Sequence, residues 1–368
     1  MTAYVIETLT PLHIGSGEKL SPFGDYIYDK NEKKVYLIDL EKLSQVLNDP
    51  ERNLMDEYVQ KVFSSSNSNH YTLKHFFEDY QINYRNLVKT EIKVKDDLNS
   101  EHILATVKSG TRPYIPGSSI KGALRTGILY THRKKDGYTI HDALGNGSGS
   151  KRRKRLSNQN GEDLFGTYNQ DLFKFLHISD TELLDEDEIE VVKTYRFHLL
   201  KEKANIPVVK EVIPANKKLR FRLQVKAKKN YHTLDDAFTY FYESEEASGE
   251  REILQMANHF ALDMIRAELE ILRKNPKREI TSIIQQYEQL LAIAERCSLE
   301  ENGCVIRLGS GKTFFDNTIA RLFTDEDIEK LPLNRRRKGL FPKTRAVISN
   351  QGFYESVLGW VKIQQLEE

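Results

Sequence analysis

Two segments of the chain alternate apolar and polar residues, which is the pattern of a strand with one buried face. Near the start, "AYVIETLT" (Ala3–Thr10) alternates in this way and ends at Pro11, and the glycines Gly15 and Gly17 that follow predict a loop. Farther on, "LRFRLQVKA" (Leu219–Ala227) has an apolar residue at every second position and, apart from one glutamine, a cation between them. We therefore expect two strands, the second with a core-facing side and a cationic side.

Helical spacing takes over between residues 234 and 296. "REILQMANHFALDMIRAELEILRK" and "REITSIIQQYEQLLAIAERC" repeat apolar residues at intervals of three and four, and "NPK" (Asn275–Lys277) separates them, so the pattern predicts two helices. The following "CVIRLGSGKTFFDNTIARLF" predicts a strand, a glycine loop and a helix, and "FYESVLGWVKI" predicts a last strand. This order favours an α+β fold with two domains, residues 1–230 and 231–368.

The central segment, "YIPGSSIKGALRTGIL" (Tyr114–Leu129), joins a strand-like approach to a helix. Pro116 disfavours helix in the residue before it, so Ser118 or Ser119 is the predicted N-cap of a helix that runs to about Tyr130. A helix start offers unpaired backbone N–H groups and the positive end of a dipole. Such a start favours an anion, for example a phosphate.

Two cations follow this helix start. Lys121 lies in the first turn, where a cation is unfavourable for the helix itself unless an anion is near, and Arg125 lies on the same face one turn later. Gly122 would let another backbone or a ribose approach closely. The alternative is a surface helix whose Lys and Arg side chains are solvated and contact no ligand.

The distribution of charge favours a ligand with many phosphates. The 368 residues include 55 Lys and Arg against 54 Asp and Glu, so the net charge of +1 decides nothing. Residues 111–155, however, contain eleven Lys or Arg and two Asp, a balance of +9, and residues 193–229 contain twelve against two Glu, a balance of +10. With the run "KRRKR" (Lys151–Arg155), these basic stretches fit a nucleic-acid backbone better than a single nucleotide.

Other kinds of site are not indicated. Cys297 and Cys304, the only cysteines, are too few and too close together for a disulfide framework or a zinc site, and we predict no metal and no cofactor. "LGSGKT" (Leu308–Thr313) is similar to a nucleotide-binding P-loop, but that pattern requires Gly where this chain has Ile306. The sequence has no signal-peptide pattern and no membrane-spanning run, which predicts a cytoplasmic protein without a membrane partner.

Several motifs together resemble a known family. They are "LTPLHIGSG" near the N-terminus, the central segment, "DLFG" followed by "HISDTEL", and "RLGSGK" (Arg307–Lys312). Their set resembles the RAMP superfamily of CRISPR-associated RNA-binding proteins, and their order is most similar to the family of fifth subunits in type III-A (Csm) effector complexes. The resemblance spans Val5 to Lys312.

The resemblance implies a fold and a role. The fold would be two ferredoxin-like, RRM-like RAMP domains, the first with a basic loop insertion and the second with a helical insertion. The role would be a non-catalytic subunit that binds CRISPR RNA and neighbouring Csm backbone subunits, caps the backbone filament at the 3′ side of the CRISPR RNA, and assists maturation of that RNA in antiviral defence, with host nucleases as further partners.

The resemblance also places RNA contacts at three motifs. The implied RNA-binding residues are His13, Gly15 and Gly17 in the first glycine segment, Gly117, Ser118, Ser119, Lys121 and Arg125 in the central segment, and Gly309, Gly311 and Lys312 in the second glycine loop. A structural turn is an equally good explanation of the second glycine loop. Substituting alanine for both Lys121 and Arg125 should weaken RNA binding without unfolding the chain.

Two other functions remain open. The chain could be a metal-independent RAMP endoribonuclease with His13 as general acid or base, if the imidazole reaches a ribose 2′-hydroxyl. His13, His177 and His198 all lie in strand-like sequence, where packing is the alternative, and we assign no catalytic residue. The chain could also be a scaffold whose basic faces bind acidic protein surfaces.

Overall fold

A computed structural model describes residues 2–48, 53–65, 70–144, 161–167, 169, 171–200, 207–225, 249–275, 277–330, 342–350 and 353–366. The predicted basic run at residues 151–155, and with it most of the predicted basic loop insertion, lies outside the described residues.

Sixteen strands and nine α-helices lie in the described part of the chain. The strands are β1 (Thr2–Thr8), β2 (Gly15–Leu20), β3 (Tyr26–Asp29), β4 (Lys34–Ile38), β5 (Val88–Val94), β6 (Ile103–Thr106), β7 (Lys108–Ser109), β8 (Arg112–Pro113), β9 (Leu176–Ile178), β10 (Glu190–His198), β11 (Val208–Val212), β12 (Lys218–Val225), β13 (Gly303–Arg307), β14 (Thr344–Asn350), β15 (Phe353–Val357) and β16 (Trp360–Gln365). The helices are α1 (Leu40–Leu47), α2 (Leu54–Ser64), α3 (Leu73–Asp79), α4 (Gly117–Lys135), α5 (Ile140–Leu144), α6 (Glu162–Phe165), α7 (Gly249–Lys274), α8 (Thr281–Glu300) and α9 (Asp325–Lys330).

A five-stranded antiparallel sheet in the order β13-β16-β1-β12-β9 holds the main core. Along β12 the residues alternate between exposed and buried, so its apolar side faces the core and its cations face outward, as the sequence predicts. On the core side, α4 and α7 cross closely: a Cβ at Gly127 would lie 2.7 Å from the Cα of Ala257. Only glycine allows that approach at this position.

A second sheet of nine strands runs β2-β6-β11-β10-β5-β4-β3, with β14 paired to β10 and β15 paired to β14. Its pairs are antiparallel except β10 with β5 and β11 with β6. Helices α1 to α3 pack against β3 and β4 in a second, smaller core that includes Ile27 and Ile38. Both large sheets contain strands from both sides of residue 230, and the division into domains at that residue stays a prediction.

Four local predictions differ from the structure. Helix α4 begins at Gly117 with Pro116 in the N-cap position and no side-chain cap, so neither predicted serine caps it, and it continues to Lys135. Gly15 starts an edge strand rather than a loop. The second glycine loop leads into short 3₁₀ turns, not directly into a helix. The chain closes with two strands, because Gly359 turns between β15 and β16.

Candidate functional site

The start of α4 is filled by the chain itself. The N–H of Gly117 donates to Oδ1 of Asp180 at 2.8 Å, and a Cβ at Gly117 would lie 2.4 Å from the carbonyl oxygen of Ile178. Asp180 therefore supplies a carboxylate at the positive end of the helix dipole. Ser118 is exposed and Ser119 half-buried, so these two side chains lie nearer to solvent.

The two cations of this helix also have partners within the chain. Lys121 Nζ donates to the carbonyl oxygen of Leu176 at 2.9 Å, and burial lowers the pKa of this lysine. The guanidinium of Arg125 donates to both carboxylate oxygens of Asp171, at 2.9 and 2.8 Å, and lies 4.4 and 4.8 Å from the ring centroids of Phe165 and Phe173. Their predicted role in RNA binding would compete with these contacts.

The first glycine segment and the second glycine loop lie far apart in the sequence, but they are in contact in the fold. The N–H of Ser310 donates to the carbonyl oxygen of His13 at 2.8 Å. Gly309 has φ of +57°, and a Cβ there would lie 2.1 Å from that same oxygen. Gly15 and Gly17 continue from His13 into an exposed strand, so the structure brings two of the three predicted motifs together.

A cleft opens beside the second glycine loop, between the loop and strands β10, β11 and β14. It encloses about 240 Å³, and its polar lining includes Thr194, Arg196, Lys210, Ser310, Lys312 and Thr313. No Asp or Glu is among the described residues that line it. Its charged side chains are therefore all cationic.

The two lysines of the cleft are partly removed from water. Burial, together with the nearby charge of Arg196, lowers the pKa of Lys210 to about 8. Burial lowers the pKa of Lys312 as well, although the carboxylate of Asp316 opposes that shift. Lys210 Nζ donates to the hydroxyl of Ser310. Arg196, Lys210 and Lys312 form no ion pair with another described residue, so the cleft is suited to accept an anion.

A buried ion pair fixes the far end of the loop. Asp316 pairs with Arg307 at 3.1 Å, and each side chain is 6% exposed. Oδ2 of the same carboxylate accepts the backbone N–H and the hydroxyl of Thr313, while Nε of Arg307 donates to the carbonyl oxygen of Leu358. These contacts hold the loop at the mouth of the cleft.

His13 lies in the interior rather than in the cleft. Its side chain is 5% exposed, and Nδ1 donates to the carbonyl oxygen of Glu211 at 2.7 Å. Burial lowers the pKa of His13 to about 4, with the charge of Lys210 acting in the same direction. The imidazole is therefore neutral at physiological pH and holds the first glycine segment against β11.

A protein-family model described as "RAMP superfamily" matches residues 5–315, which is most of the chain. The chain belongs to the RAMP superfamily. This RAMP chain is also similar to two curated proteins, each named "CRISPR system Cms protein Csm5". One, from Methanocaldococcus jannaschii, is 25% identical over 98% of this chain and 88% of its own length. The other, from Streptococcus thermophilus, is 28% identical over 59% of this chain and 61% of its own length.

Two solved structures share the fold. A chain in the cryo-EM structure of a Csm-crRNA-target RNA ternary complex of a type III-A CRISPR-Cas system has a TM-score of 0.72 at 22% identity, over 99% of this chain and 100% of that one. The crystal structure of T. onnurineus Csm5 has a TM-score of 0.67 at 20% identity, over 97% and 99%. The predicted α+β, ferredoxin-like RAMP fold class is confirmed.

Three residues of this RAMP chain were not predicted as functional from the sequence: Arg196, Lys210 and Gly359. Lys210 had a signal in retrospect, because it interrupts the apolar run "VVKEV" of β11. Arg196 lies at a polar position of strand β10, and nothing in its local sequence distinguishes it from other polar strand residues. Gly359 stands between two strand-like runs and has φ of +91°, where a Cβ would lie 2.2 Å from the carbonyl oxygen of Leu308. That close approach links two distant segments and has no local signature.

The described parts of this RAMP chain contain neither a metal-binding cluster nor a membrane-spanning helix. Across residues 2–366 outside the gaps given above, no group of three or more His, Cys, Asp or Glu side chains is arranged to hold a metal ion. In those same ranges, every helix is too short or too polar to cross a membrane.

Proposed function

We propose that this RAMP chain is a non-catalytic, RNA-binding subunit of a type III-A Csm effector complex. It would bind CRISPR RNA and neighbouring Csm backbone subunits in the cytoplasm. It would cap the backbone filament at the 3′ side of that RNA and assist its maturation through recruited host nucleases. Superfamily membership and the similarity to proteins named Csm5 support this proposal.

The observation that carries RNA binding is the cleft beside the second glycine loop. Arg196, Lys210 and Lys312 line it, and no Asp or Glu is among its described lining residues. The loop that bears Lys312 is fixed by glycine contacts and by Asp316. A cluster of cations held by two strands and a fixed loop is suited to neutralise phosphates. We therefore propose that this cleft, and not the start of α4, makes the main contact with RNA.

RNA affinity measured across a salt titration tests the proposal. We expect the full chain to bind a single-stranded CRISPR RNA, and Arg196→Ala with Lys312→Ala to weaken binding and reduce the log–log salt slope by about 0.7 per lost phosphate contact, or about 1.4 for both. Arg273→Ala with Lys274→Ala is the matched control, because these exposed cations form ion pairs at the end of α7. The absence of RNA from wild-type Csm particles containing this chain would overturn the proposal.

The second candidate function is metal-independent cleavage of RNA with His13 as general acid or base. His13 is buried and neutral, and it donates a hydrogen bond to the carbonyl oxygen of Glu211. These features favour a packing role, since a group that transfers a proton must reach the ribose hydroxyl. Incubation of the purified chain with precursor RNA in EDTA separates the two functions. Discrete cleavage that disappears in His13→Gln would establish the enzyme, whereas we expect intact RNA with both proteins.

A scaffold that contacts only protein is distinguished by the same particles. If basic faces bind acidic protein surfaces alone, digestion of the RNA should leave the chain in the assembly. We expect instead that complete nuclease digestion releases it, because phosphates compensate the cations of the cleft. Retention of the chain after digestion would favour the scaffold.

A further inference from the structure

The cleft beside the second glycine loop carries more positive charge than one internal phosphate of RNA can neutralise. Arg196, Lys210 and Lys312 supply up to three positive charges, and no carboxylate lines the cleft among the described residues. An internal phosphodiester brings one negative charge. A terminal phosphate brings about −1.5 to −2 at pH 7, because its second pKa is near 6. The charge balance therefore favours a phosphate monoester.

The size and lining of the cleft fit a single nucleotide. Its volume of about 240 Å³ is below the range of ~300–1,000 Å³ that drug-sized ligands occupy. The hydroxyl of Ser310 adds a neutral hydrogen-bonding group beside the cations, whereas the hydroxyls of Thr194 and Thr313 donate within the chain to Val208 O and Asp316 Oδ2. Tyr195 and Phe314 provide ring surface in the same walls. Phosphate, ribose and one base could each find a suitable neighbour.

Lys210 is the residue that most requires an anion. Its ammonium group is partly buried, it donates to the hydroxyl of Ser310, and the nearest charge acting on it is that of Arg196. A buried cation without an opposite charge destabilises the free protein. Binding of a dianion would compensate the charge of Lys210 and remove that destabilisation. This compensation would contribute to the affinity of the site.

From these three observations we propose that the cleft binds the phosphorylated end of an RNA strand, with the terminal phosphate held by Lys210, Lys312 and Arg196. The inference rests on the proposed RNA-binding function and makes it more specific. It assigns roles to Arg196 and Lys210, which lie in no glycine motif. The chemistry required is a phosphate monoester on a ribose, at either the 3′ or the 5′ end.

Three single-stranded RNAs of one sequence test this proposal: one with a 3′-phosphate, one with a 5′-phosphate, and one with hydroxyls at both ends, each labelled at an internal base. We expect the chain to bind one phosphorylated RNA at least about tenfold more tightly than the hydroxyl-ended RNA, since a single added hydrogen bond between charged groups is enough to change an affinity about tenfold. The preferred RNA identifies which end is bound. Equal affinity for all three would overturn the inference and leave general RNA binding intact, whereas no binding of any RNA would overturn the proposed function.

Lys210→Met removes the charge and retains much of the side-chain volume, so it should abolish the preference for a phosphorylated end. Lys218→Met is the matched control, because Lys218 is exposed on β12 in the other large sheet, and its preference should be unchanged. A preference that persists in Lys210→Met would contradict the assignment. If that variant does not fold, the comparison of the three RNAs with the wild-type chain still decides the proposal.

The pH dependence of the affinity gives a second measurement. Lys210 is charged below its pKa of about 8 and neutral above it, so the preference should decline between pH 7 and 9 and decline less in Lys210→Arg. The facing groups allow this assignment: arginine side chains such as Arg196 do not titrate in this range, Tyr195 has a raised pKa, His13 is already neutral, and Glu211 pairs with Lys108. Lys312, whose pKa is also lowered, would account for any decline that remains in Lys210→Arg. Identical pH profiles for wild type and Lys210→Arg would show that Lys210 does not hold the phosphate.

Discussion

At the scale of single residues, a cation in a basic stretch can be structural. Arg125 follows the pattern of a phosphate contact in sequence, yet Asp171, Phe165 and Phe173 surround its guanidinium. The reason is tertiary: Asp171 lies 46 positions away, and no local rule pairs the two. Lys210, by contrast, lies within an otherwise largely apolar strand and forms no ion pair with any described carboxylate. Local charge density therefore does not tell which cations of a basic stretch form contacts within the chain.

Arg125→Ala should lower the free energy of unfolding by roughly 1–3 kcal/mol, because it removes two ring contacts and leaves Asp171 without its partner. Urea unfolding followed by circular dichroism measures this change. Arg222→Ala is the control: Arg222 is exposed on β12, and its loss should change stability by no more than about 0.5 kcal/mol. A stable Arg125→Ala chain with much weaker RNA binding would support the earlier assignment of Arg125 to RNA.

At the scale of elements, the spacing of apolar residues predicted strands and helices that are regular along the sequence. The alternation of β12 and the two long helices α7 and α8 were expected from sequence, and the structure has both. Contacts between distant segments were not predictable. The hydrogen bond from Ser310 to His13 and the position of the Asp180 carboxylate at the start of α4 depend on how distant strands pair. A single sequence does not reveal that pairing.

Helix α4 offers a test of element packing with two glycines one and a half turns apart. Gly127→Ala should destabilise the protein by about 1–3 kcal/mol, since its Cβ would lie 2.7 Å from the Cα of Ala257 in α7. Gly122→Ala, in the same helix, meets nothing within 4 Å and should stabilise it by about 0.5–1 kcal/mol. The midpoints of urea unfolding should therefore move in opposite directions. A shift of the same sign in both variants would contradict the close crossing of the two helices.

At the scale of the whole molecule, the two termini share one sheet. Strand β1 pairs with β12 on one side and with β16 on the other, with Tyr4 opposite Phe221 and Gln365. In the second large sheet, β10 pairs with β14, from beyond residue 340. The cleft depends on this arrangement, because its walls include β10 and β11 from the first half and the second glycine loop from the other.

Separate expression of residues 1–230 and 231–368 tests how far each half folds by itself. The first half would lack the partner of β1 that β16 provides, and the second would expose β16 and β14 without their central neighbours. Unpaired backbone groups and apolar surface would then meet water, so we expect neither half to unfold cooperatively. Mixing the halves should restore a single transition and RNA binding, because the cleft requires both. Cooperative unfolding of either half alone would instead establish residue 230 as a boundary between independent folding units, with the shared sheets as an interface between them.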